Sequence, residues 1–173
     1  QRYQLQKQYL RLAWSDSPLD MSYDSKPVCV PQTSLNIIRG VVKTMNRDCV
    51  CGSRQQFSEC CEPLLNEVQP AKTPEQLMRS RYSAYSLGGY GSYLLKTWFA
   101  PMAKDLSLEE LSRSDTEWLG LKILDSGING NSGWVEFKAV YRDNQRRVEM
   151  HEKSVFTLQG NRWLYIGGEV SPS

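Results

Sequence analysis

The order of hydrophobic and polar positions after residue 72 predicts a helical part followed by a strand part. Thr73 is placed to cap a helix, Pro74 suits its first position, and Gln76 completes a capping box. Gly88 and Gly89 end the same helix. One broad face carries hydrophobic side chains at helical spacing: Leu77, Met78, Tyr82, Ala84 and Tyr85. An amphipathic helix with one face buried is therefore expected here.

Two shorter helices and four strands are predicted beyond this helix. The first short helix covers residues 90–98, and the second opens with a capping box at Ser107. After Asp115 the pattern becomes typical of strands separated by short turns. Because short connections join consecutive strands, we expect an antiparallel meander with the helices across one face, which is an α+β fold. The predicted strands cover residues 117–125, 134–142, 147–158 and 162–166.

Residues 1–48 differ from the rest of the chain in their order of apolar and polar positions and are predicted to form an N-terminal extension. An apolar stripe at helical spacing is followed by a Pro- and Ser-containing stretch and by an apolar patch at residues 35–42. We expect the extension to pack on the domain or on a second copy. Cys29 lies in this region and is expected to be a buried, inert thiol.

Composition and charge narrow the class of protein. The chain has 173 residues, 21 basic and 19 acidic side chains and a net charge of +2, which suits one soluble domain with a small appendage. The near-neutral balance argues against a dedicated nucleic-acid binder. No apolar run approaches the roughly 18 residues of a membrane span, and the first 25 residues lack a signal-peptide pattern, so a cytoplasmic location is predicted. His151 is the single histidine, which excludes mechanisms that need two.

Four cysteines are packed into 13 residues and form the strongest chemical signal. They come as two close pairs, and Gly52 gives the backbone freedom to turn the segment between the pairs. A tetrahedral zinc ion needs four soft ligands that converge at about 2.3 Å from each sulfur. We therefore predict a structural Zn²⁺ site, closed to water and without catalytic chemistry, at Cys49, Cys51, Cys60 and Cys61.

Disulfides and free thiols are the alternatives to zinc. Adjacent cysteines such as Cys60 and Cys61 bridge each other only through a strained ring, and pairing Cys49 with Cys51 is nearly as awkward. Cross-pairing is unusual in a protein without an export signal. Four free thiols in a polar segment would have no core to bury them. The sequence favours zinc over both alternatives.

The cysteine spacing, with Gly52 and Ser53 directly after the second cysteine, resembles the SEC-C motif. That motif is the zinc-binding tail of the SecA translocation ATPase, where it docks on the SecB chaperone. All four cysteines fall on its ligand positions, and Phe57 falls on a usual aromatic position; Val50 replaces the usual proline. The resemblance implies a SEC-C module at residues 49–67 that binds structural zinc and a protein partner.

Three later segments are similar to the YchJ-like family of uncharacterised bacterial proteins: residues 77–85, 96–98 and 116–121. Members carry a SEC-C motif ahead of a nuclear transport factor 2-like domain, which is a cone of helices packed on a curved antiparallel sheet. The resemblance implies such a domain at residues 73–170. It implies no activity, since the family has none established.

Two polar residues interrupt the core-facing row of the strand at residues 147–158. Alternation places Glu152 and Ser154 on the same face as Phe156, so the carboxyl group must be paired or protonated. Arg79 is predicted to turn inward as its partner, in preference to Arg81. The same pocket wall is predicted to include Tyr82, Trp98 and Trp118. An interior salt bridge is favoured over an active-site pocket, since no second acid or base completes a mechanism.

These observations lead to one function and two alternatives. The favoured function is a zinc-stabilised docking protein without catalysis, whose partner is another protein. The first alternative is a small-molecule binder or enzyme that uses the cone interior around Glu152 and Arg79. The second is weak nucleic-acid contact through basic side chains of the sheet, which the net charge disfavours. His151 is expected to lie on the solvent side and to take no part in chemistry.

Overall fold

The computed structural model describes residues 47–171, so the predictions for the N-terminal extension and Cys29 lie outside the described residues. A 3-10 turn at Phe57–Glu59 precedes the first helix, and a second 3-10 turn at Ala100–Met102 lies between the last two. The helices are α1 (Glu62–Leu65), α2 (Pro74–Leu87), α3 (Gly91–Lys96) and α4 (Leu108–Ser112). The strands are β1 (Glu117–Asn129), β2 (Ser132–Asp143), β3 (Arg146–Gln159) and β4 (Arg162–Ser171).

Helix α2 begins and ends where the sequence predicts. The Gln76 N–H donates to Thr73 Oγ1 over 3.1 Å, and the Gln76 side-chain oxygen accepts from the Lys72 N–H over 2.7 Å. Gly88 ends the helix with φ +71°, a conformation that glycine adopts without a steric penalty. The predicted capping is confirmed, and it fixes the direction in which α2 leaves the preceding loop.

The strands of the described region form an antiparallel meander in the order β1-β2-β3-β4, as predicted. Two strands continue four or more residues past their predicted ends, β1 to Asn129 and β4 to Ser171, whereas β2 and β3 end one residue later than predicted. Both extensions run through glycines. The register of β1 on β2 shifts between Trp118 and Gly120 and again between Ile123 and Asp125, so this edge strand is bulged twice.

The other edge of the sheet is partly covered. The segment after α3 runs parallel to β4: the Phe99 N–H donates to the Tyr165 carbonyl, and the Tyr165 N–H donates to the Thr97 carbonyl, both over 2.8 Å. This bridge ties the helical part to β4 through main-chain hydrogen bonds.

The core lies between the inner face of the sheet and α2 with α3. Phe137 and Phe156 are at most 1% exposed, and Leu77 from α2 packs into the same cluster. The outer face carries ion pairs such as Lys138–Glu149. His151 lies on this outer face, where Nε2 is 2.7 Å from Glu136 Oε1 across the strand pair. In residues 47–171, no helix is long and apolar enough to cross a membrane.

Candidate functional site

The first cysteine pair is held by a tight main-chain turn. The Cys49 N–H donates to the Gln55 carbonyl over 2.8 Å, and the Gly52 N–H donates to the Cys49 carbonyl over 3.1 Å. Gly52 has φ +74°, and a Cβ there would lie 3.0 Å from the Leu121 carbonyl oxygen of β1. The turn therefore requires glycine, both for its backbone conformation and for its close approach to the sheet.

The second pair enters the same site from a helix start. Cys60 follows the 3-10 turn, and its N–H donates to the Phe57 carbonyl over 3.2 Å. Cys61 precedes α1, and its carbonyl accepts from the Leu65 N–H over 2.9 Å. Two separate backbone structures thus point four sulfurs at one place.

The sulfur geometry suits a tetrahedral metal ion. The four Sγ atoms lie within 4.8 Å of one another, and Cys51 Sγ is 3.6 Å from Cys60 Sγ. Cys60 Sγ is 3.8 Å from Cys61 Sγ. Tetrahedral bonds of about 2.3 Å place sulfurs about 3.8 Å apart, whereas a disulfide needs about 2.05 Å. All four are free thiols in the described structure, so Cys49, Cys51, Cys60 and Cys61 can hold one metal ion.

The cluster is built against α2 as much as on its own segment. Cys49, Cys51 and Cys61 are at most 4% exposed, whereas Cys60 is partly exposed. Cys49 Sγ lies 3.9 Å from Ser83 Oγ of α2. In the thiol form, hydrogen bonds from Cys49 and Cys61 lower the pKa of Cys51, while burial raises the pKa of Cys60 to about 11. Four thiols this close together do not all ionise unless a cation compensates their charge.

The prediction that Arg79 turns into the core is wrong. Its Nε is 2.9 Å from Glu75 Oε1, and its Nη1 donates to the Cys51 carbonyl over 2.9 Å. Arg79 therefore faces the stretch that carries the four cysteines, residues 49–61, which we call the cysteine segment. Arg81 is the interior arginine and is 3% exposed. Residues two apart on a helix point about 200° from each other, so only one of the two can face the sheet. Arg81 shares the buried face of Leu77 and Ala84.

Arg81 lies among aromatic rings and bonds to α3. Its guanidinium carbon is 4.5 Å from the centroid of the Tyr165 ring and 5.0 Å from that of Trp98. Its Nη1 donates to the Leu94 carbonyl over 3.0 Å and to Thr97 Oγ1 over 2.7 Å. A buried cation is thereby held by π faces and two hydrogen bonds rather than by a direct carboxylate contact.

Glu152 is buried beside this arginine and bonded to two hydroxyl groups. Ser154 Oγ donates to Glu152 Oε1 over 2.6 Å, and Tyr165 Oη donates to the same oxygen over 3.0 Å. Burial raises the pKa of Glu152, and the two hydrogen bonds and the Arg81 charge oppose this rise. The expectation that this carboxyl group needs partners is met, but the partners are hydroxyl groups. We call Arg81, Glu152, Ser154 and Tyr165 the interior polar cluster.

The six residues predicted to line a pocket lie in three places. Arg79 faces the cysteine segment, and Glu152, Ser154 and Trp98 surround Tyr165. Tyr82 meets Trp118 edge-on, with ring centroids 5.7 Å apart, and Trp118 also packs on Tyr141. Tyr165 is the residue that sequence reasoning did not place in this site. Its inward alternation with Trp163 in β4 is the signal that identifies it.

Replacing Gly168 by alanine tests the packing of the interior polar cluster. A Cβ at Gly168 would overlap the Glu152 carboxyl group, so the carboxyl must leave its hydroxyl partners. We expect a loss of about 2–4 kcal/mol in the free energy of unfolding, measured by urea titration. Gly120→Ala is the matched control, because a Cβ there has no atom within 4 Å, and equal losses in both variants would contradict the packing.

Replacing Glu152 by glutamine tests the raised pKa. Since this pKa lies above the ordinary 4.5, the unfolded chain releases the proton first as pH rises. The contribution of Glu152 to stability is complete below pH 4.5 and is lost as pH rises through the raised folded-state pKa. We expect the wild type to lose stability relative to Glu152→Gln over that range, in unfolding titrations of both proteins at each pH. A difference that does not change with pH would contradict the shift.

A surface depression of about 520 Å³ opens beside the cysteine cluster. The cysteine segment forms one wall and the start of α2 forms the other. Its lining includes Ser53, Gln55, Cys60, Glu75, Gln76 and Arg79. Since Arg79 contacts the Cys51 carbonyl, the shape of this depression depends on the position of the cysteine segment.

Relatives of known sequence match most of the chain. Residues 73–168 match the family model described as the middle NTF2-like domain of YchJ. A UPF0225 protein of Pectobacterium carotovorum is 40% identical over 131 residues, which cover 72% of this chain and 84% of the relative. A UPF0225 protein of Vibrio parahaemolyticus is 36% identical over 127 residues, which cover 72% and 75%.

Two solved structures share the fold. The solution structure of a SEC-C motif-containing protein from Rhodopseudomonas palustris has a TM-score of 0.67 and 33% identity, and covers 73% of this chain and 100% of its own. The crystal structure of a SEC-C motif-containing protein from Psychrobacter arcticus has a TM-score of 0.63 and 24% identity, with coverage of 75% and 85%. The predicted α+β fold, an NTF2-like domain preceded by a cysteine cluster, is confirmed. The chain belongs to the UPF0225 family of YchJ-like proteins.

Proposed function

We propose that this protein is a zinc-stabilised docking protein without catalytic activity of its own. Cys49, Cys51, Cys60 and Cys61 hold one structural zinc ion, and the surface that this ion stabilises binds a protein partner. The observation that carries the proposal is the convergence of four free sulfurs within 4.8 Å, with separations that match a tetrahedron.

The donor set explains why the ion is structural. Four thiolates fill a tetrahedral site, which leaves no position for a water molecule or a substrate. Four thiolates around a dication leave two negative charges, which nearby donors must offset. Ser53 Oγ lies 3.2 Å from Cys60 Sγ, and the Arg79 guanidinium is bonded to the Cys51 carbonyl. These two donors offset part of that charge, and Arg79 also pairs with Glu75.

The docking surface follows from the same geometry. Three cysteines are buried against the domain, so the face left for a partner is the Cys60 side, which opens into the 520 Å³ depression. Charged groups of both signs, such as Glu59 and Lys72, lie along this depression, together with the apolar Leu64. A mixed surface of this kind suits a protein segment better than a single small anion or cation. The docking role that the SEC-C resemblance implies falls on this face.

Metal content tests the first half of the proposal. We expect about one zinc ion per chain in protein purified under reducing conditions, and X-ray absorption should show only sulfur neighbours at about 2.3 Å. Cys61→Ser should lose most of the zinc, whereas Cys29→Ser, outside the cluster, should keep it. Sulfur–sulfur bonds in the cluster, or no zinc after purification with supplied metal, would contradict it.

Site-specific crosslinking tests the docking half. Benzoylphenylalanine in place of Gln55, which is exposed and lines the depression, should give a discrete protein adduct on illumination in cells. The same group in place of Gln159, which is exposed at the far end of β3, is the matched control. The Gln55 adduct should disappear when Cys61→Ser is added. Equal adducts at both positions, or none at Gln55, would contradict docking at this face.

A further inference from the structure

The four cysteines of the cluster differ in their access to solvent. Cys51 is fully buried, and Cys49 and Cys61 are at most 4% exposed. Cys60 and Cys61 both lie in the wall of the depression, and of these two only Cys60 is partly exposed. A small molecule that enters the depression therefore reaches the sulfur of Cys60 before any other sulfur of the cluster.

The surroundings of Cys60 Sγ include a second sulfur at reactive distance. Cys51 Sγ is 3.6 Å away and Cys61 Sγ is 3.8 Å away, while Ser53 Oγ is 3.2 Å away as a hydrogen-bonding neighbour. Metal-bound cysteine is held as the thiolate, which is the nucleophilic form of the side chain. The exposed sulfur thus combines access, nucleophilicity and a nearby partner, which are the features of oxidation-sensitive cysteines.

We propose that Cys60 is an oxidation site for hydrogen peroxide and that a Cys51–Cys60 disulfide then forms, with release of the metal ion. The inference rests on the proposed zinc site. It assigns the docking surface a redox control. The wall of the depression keeps its conformation while the cluster is reduced, and it loses the metal that holds it once Cys51 and Cys60 form a disulfide.

The chemistry balances with peroxide as the oxidant. The Cys60 thiolate attacks one oxygen of peroxide, the O–O bond breaks, and hydroxide leaves, so sulfur loses two electrons and becomes a sulfenic acid. The Cys51 thiolate then attacks that sulfur, the S–O bond breaks, and a second hydroxide leaves. Two protons from solvent convert both hydroxides to water. The two sulfurs in the disulfide no longer act as thiolate ligands, so two donors remain where four are needed.

Cys51 is the partner of Cys60 for geometric reasons. A bond between the adjacent Cys60 and Cys61 closes a strained ring, although their sulfurs are only 3.8 Å apart. Cys51 is nearer, and the Asp48–Gln56 bridge already holds its segment beside that of Cys60. The geometry therefore favours one disulfide among the possible pairings.

Peptide mapping tests the assignment directly. Cleavage after Arg47, Arg54 and Lys72 separates the cluster into residues 48–54, with Cys49 and Cys51, and residues 55–72, with Cys60 and Cys61. Zinc-loaded protein is treated with hydrogen peroxide, and zinc release is followed with a coloured chelator. We expect one zinc released per disulfide formed, a Cys51–Cys60 link between the two peptides, and recovery of zinc binding after dithiothreitol and zinc are added. A dimedone trap should label Cys60 first.

The outcomes separate this inference from the proposed function. Protein that holds zinc and keeps it after peroxide, or that labels Cys49 as fast as Cys60, overturns the redox assignment alone. A Cys60–Cys61 link also overturns it. Protein that holds no zinc before treatment contradicts the zinc site and the redox control together. Cys29→Ser should release zinc at the wild-type rate, and a slower release would show that oxidation begins at Cys29 instead.

Discussion

Cys51→Ser is expected to lower the free energy of unfolding of the NTF2-like domain by about 4 kcal/mol or more. The reason is shared burial. Cys51 and Cys61 are at most 1% exposed, and they belong to the same core cluster as Leu64 and Leu77. Because α2 contacts the cysteine segment on one side and the sheet on the other, loss of the metal removes support from the helix on which the sheet packs.

Tryptophan fluorescence during urea unfolding measures the stability of the NTF2-like domain itself. Trp98, Trp118 and Trp163 belong to the stretch that matches the NTF2-like family model, residues 73–168, so their signal reports on that domain. Val68→Ser, at a side chain that is 78% exposed, is the control and should unfold as the wild type does. A strong zinc chelator added to the wild type should reproduce the Cys51→Ser curve. If the tryptophan transition does not move in either case, the cluster and the domain are energetically independent.

Arg81→Met is expected to lower the free energy of unfolding by about 3–5 kcal/mol, although it replaces a charge in the core by an apolar side chain of similar length. The substitution removes the hydrogen bonds to the Leu94 carbonyl and Thr97 and the contact with the Tyr165 ring. It also removes the positive charge that favours the ionised form of Glu152. A buried carboxyl group is left with hydroxyl partners alone.

Comparison with an exposed arginine isolates the effect of burial. Arg113 pairs with Glu109 at the surface, so Arg113→Met should leave the free energy of unfolding almost unchanged. The double variant Arg81→Met with Glu152→Gln should recover part of the loss, since the uncompensated carboxyl group is gone. Additive losses in the double variant, or a loss for Arg81 as small as that for Arg113, would show that the two interior charges do not interact.

Local signals in the sequence were sufficient to predict the elements that begin or end at a chemically distinctive residue. Thr73 and Gln76 mark the start of α2 because capping involves neighbours in the chain alone. The cysteine cluster is equally local, since its ligands lie within 13 residues and Gly52 and Arg54 supply the left-handed positions of the turn between them. Spacing and residue type therefore identified the four candidate ligands.

Strand ends and helix faces depend on partners that are distant in sequence. Gly127 and Gly168 look like turn signals, yet each lies inside a paired strand. Glycine is required there because the ring of Trp134 and the carboxyl of Glu152 occupy the space where a Cβ would be. Which of Arg79 and Arg81 faces the core also depends on the elements that pack against α2. Arg79, which sequence reasoning turned toward the core, bonds to the cysteine segment instead, and the aromatic rings that receive Arg81 come from other elements.

The two borders of the sheet bear on how the protein behaves at high concentration. Unpaired main-chain groups along a sheet border are templates for polymerisation into stacked fibres. Here β1 is kinked by its two register shifts, and the middle of β4 is already bonded to residues 97 and 99. Within residues 47–171, neither border offers a long, flat run of free amides to a neighbouring molecule, so this part of the fold resists self-association of the cross-β kind without any help from its net charge.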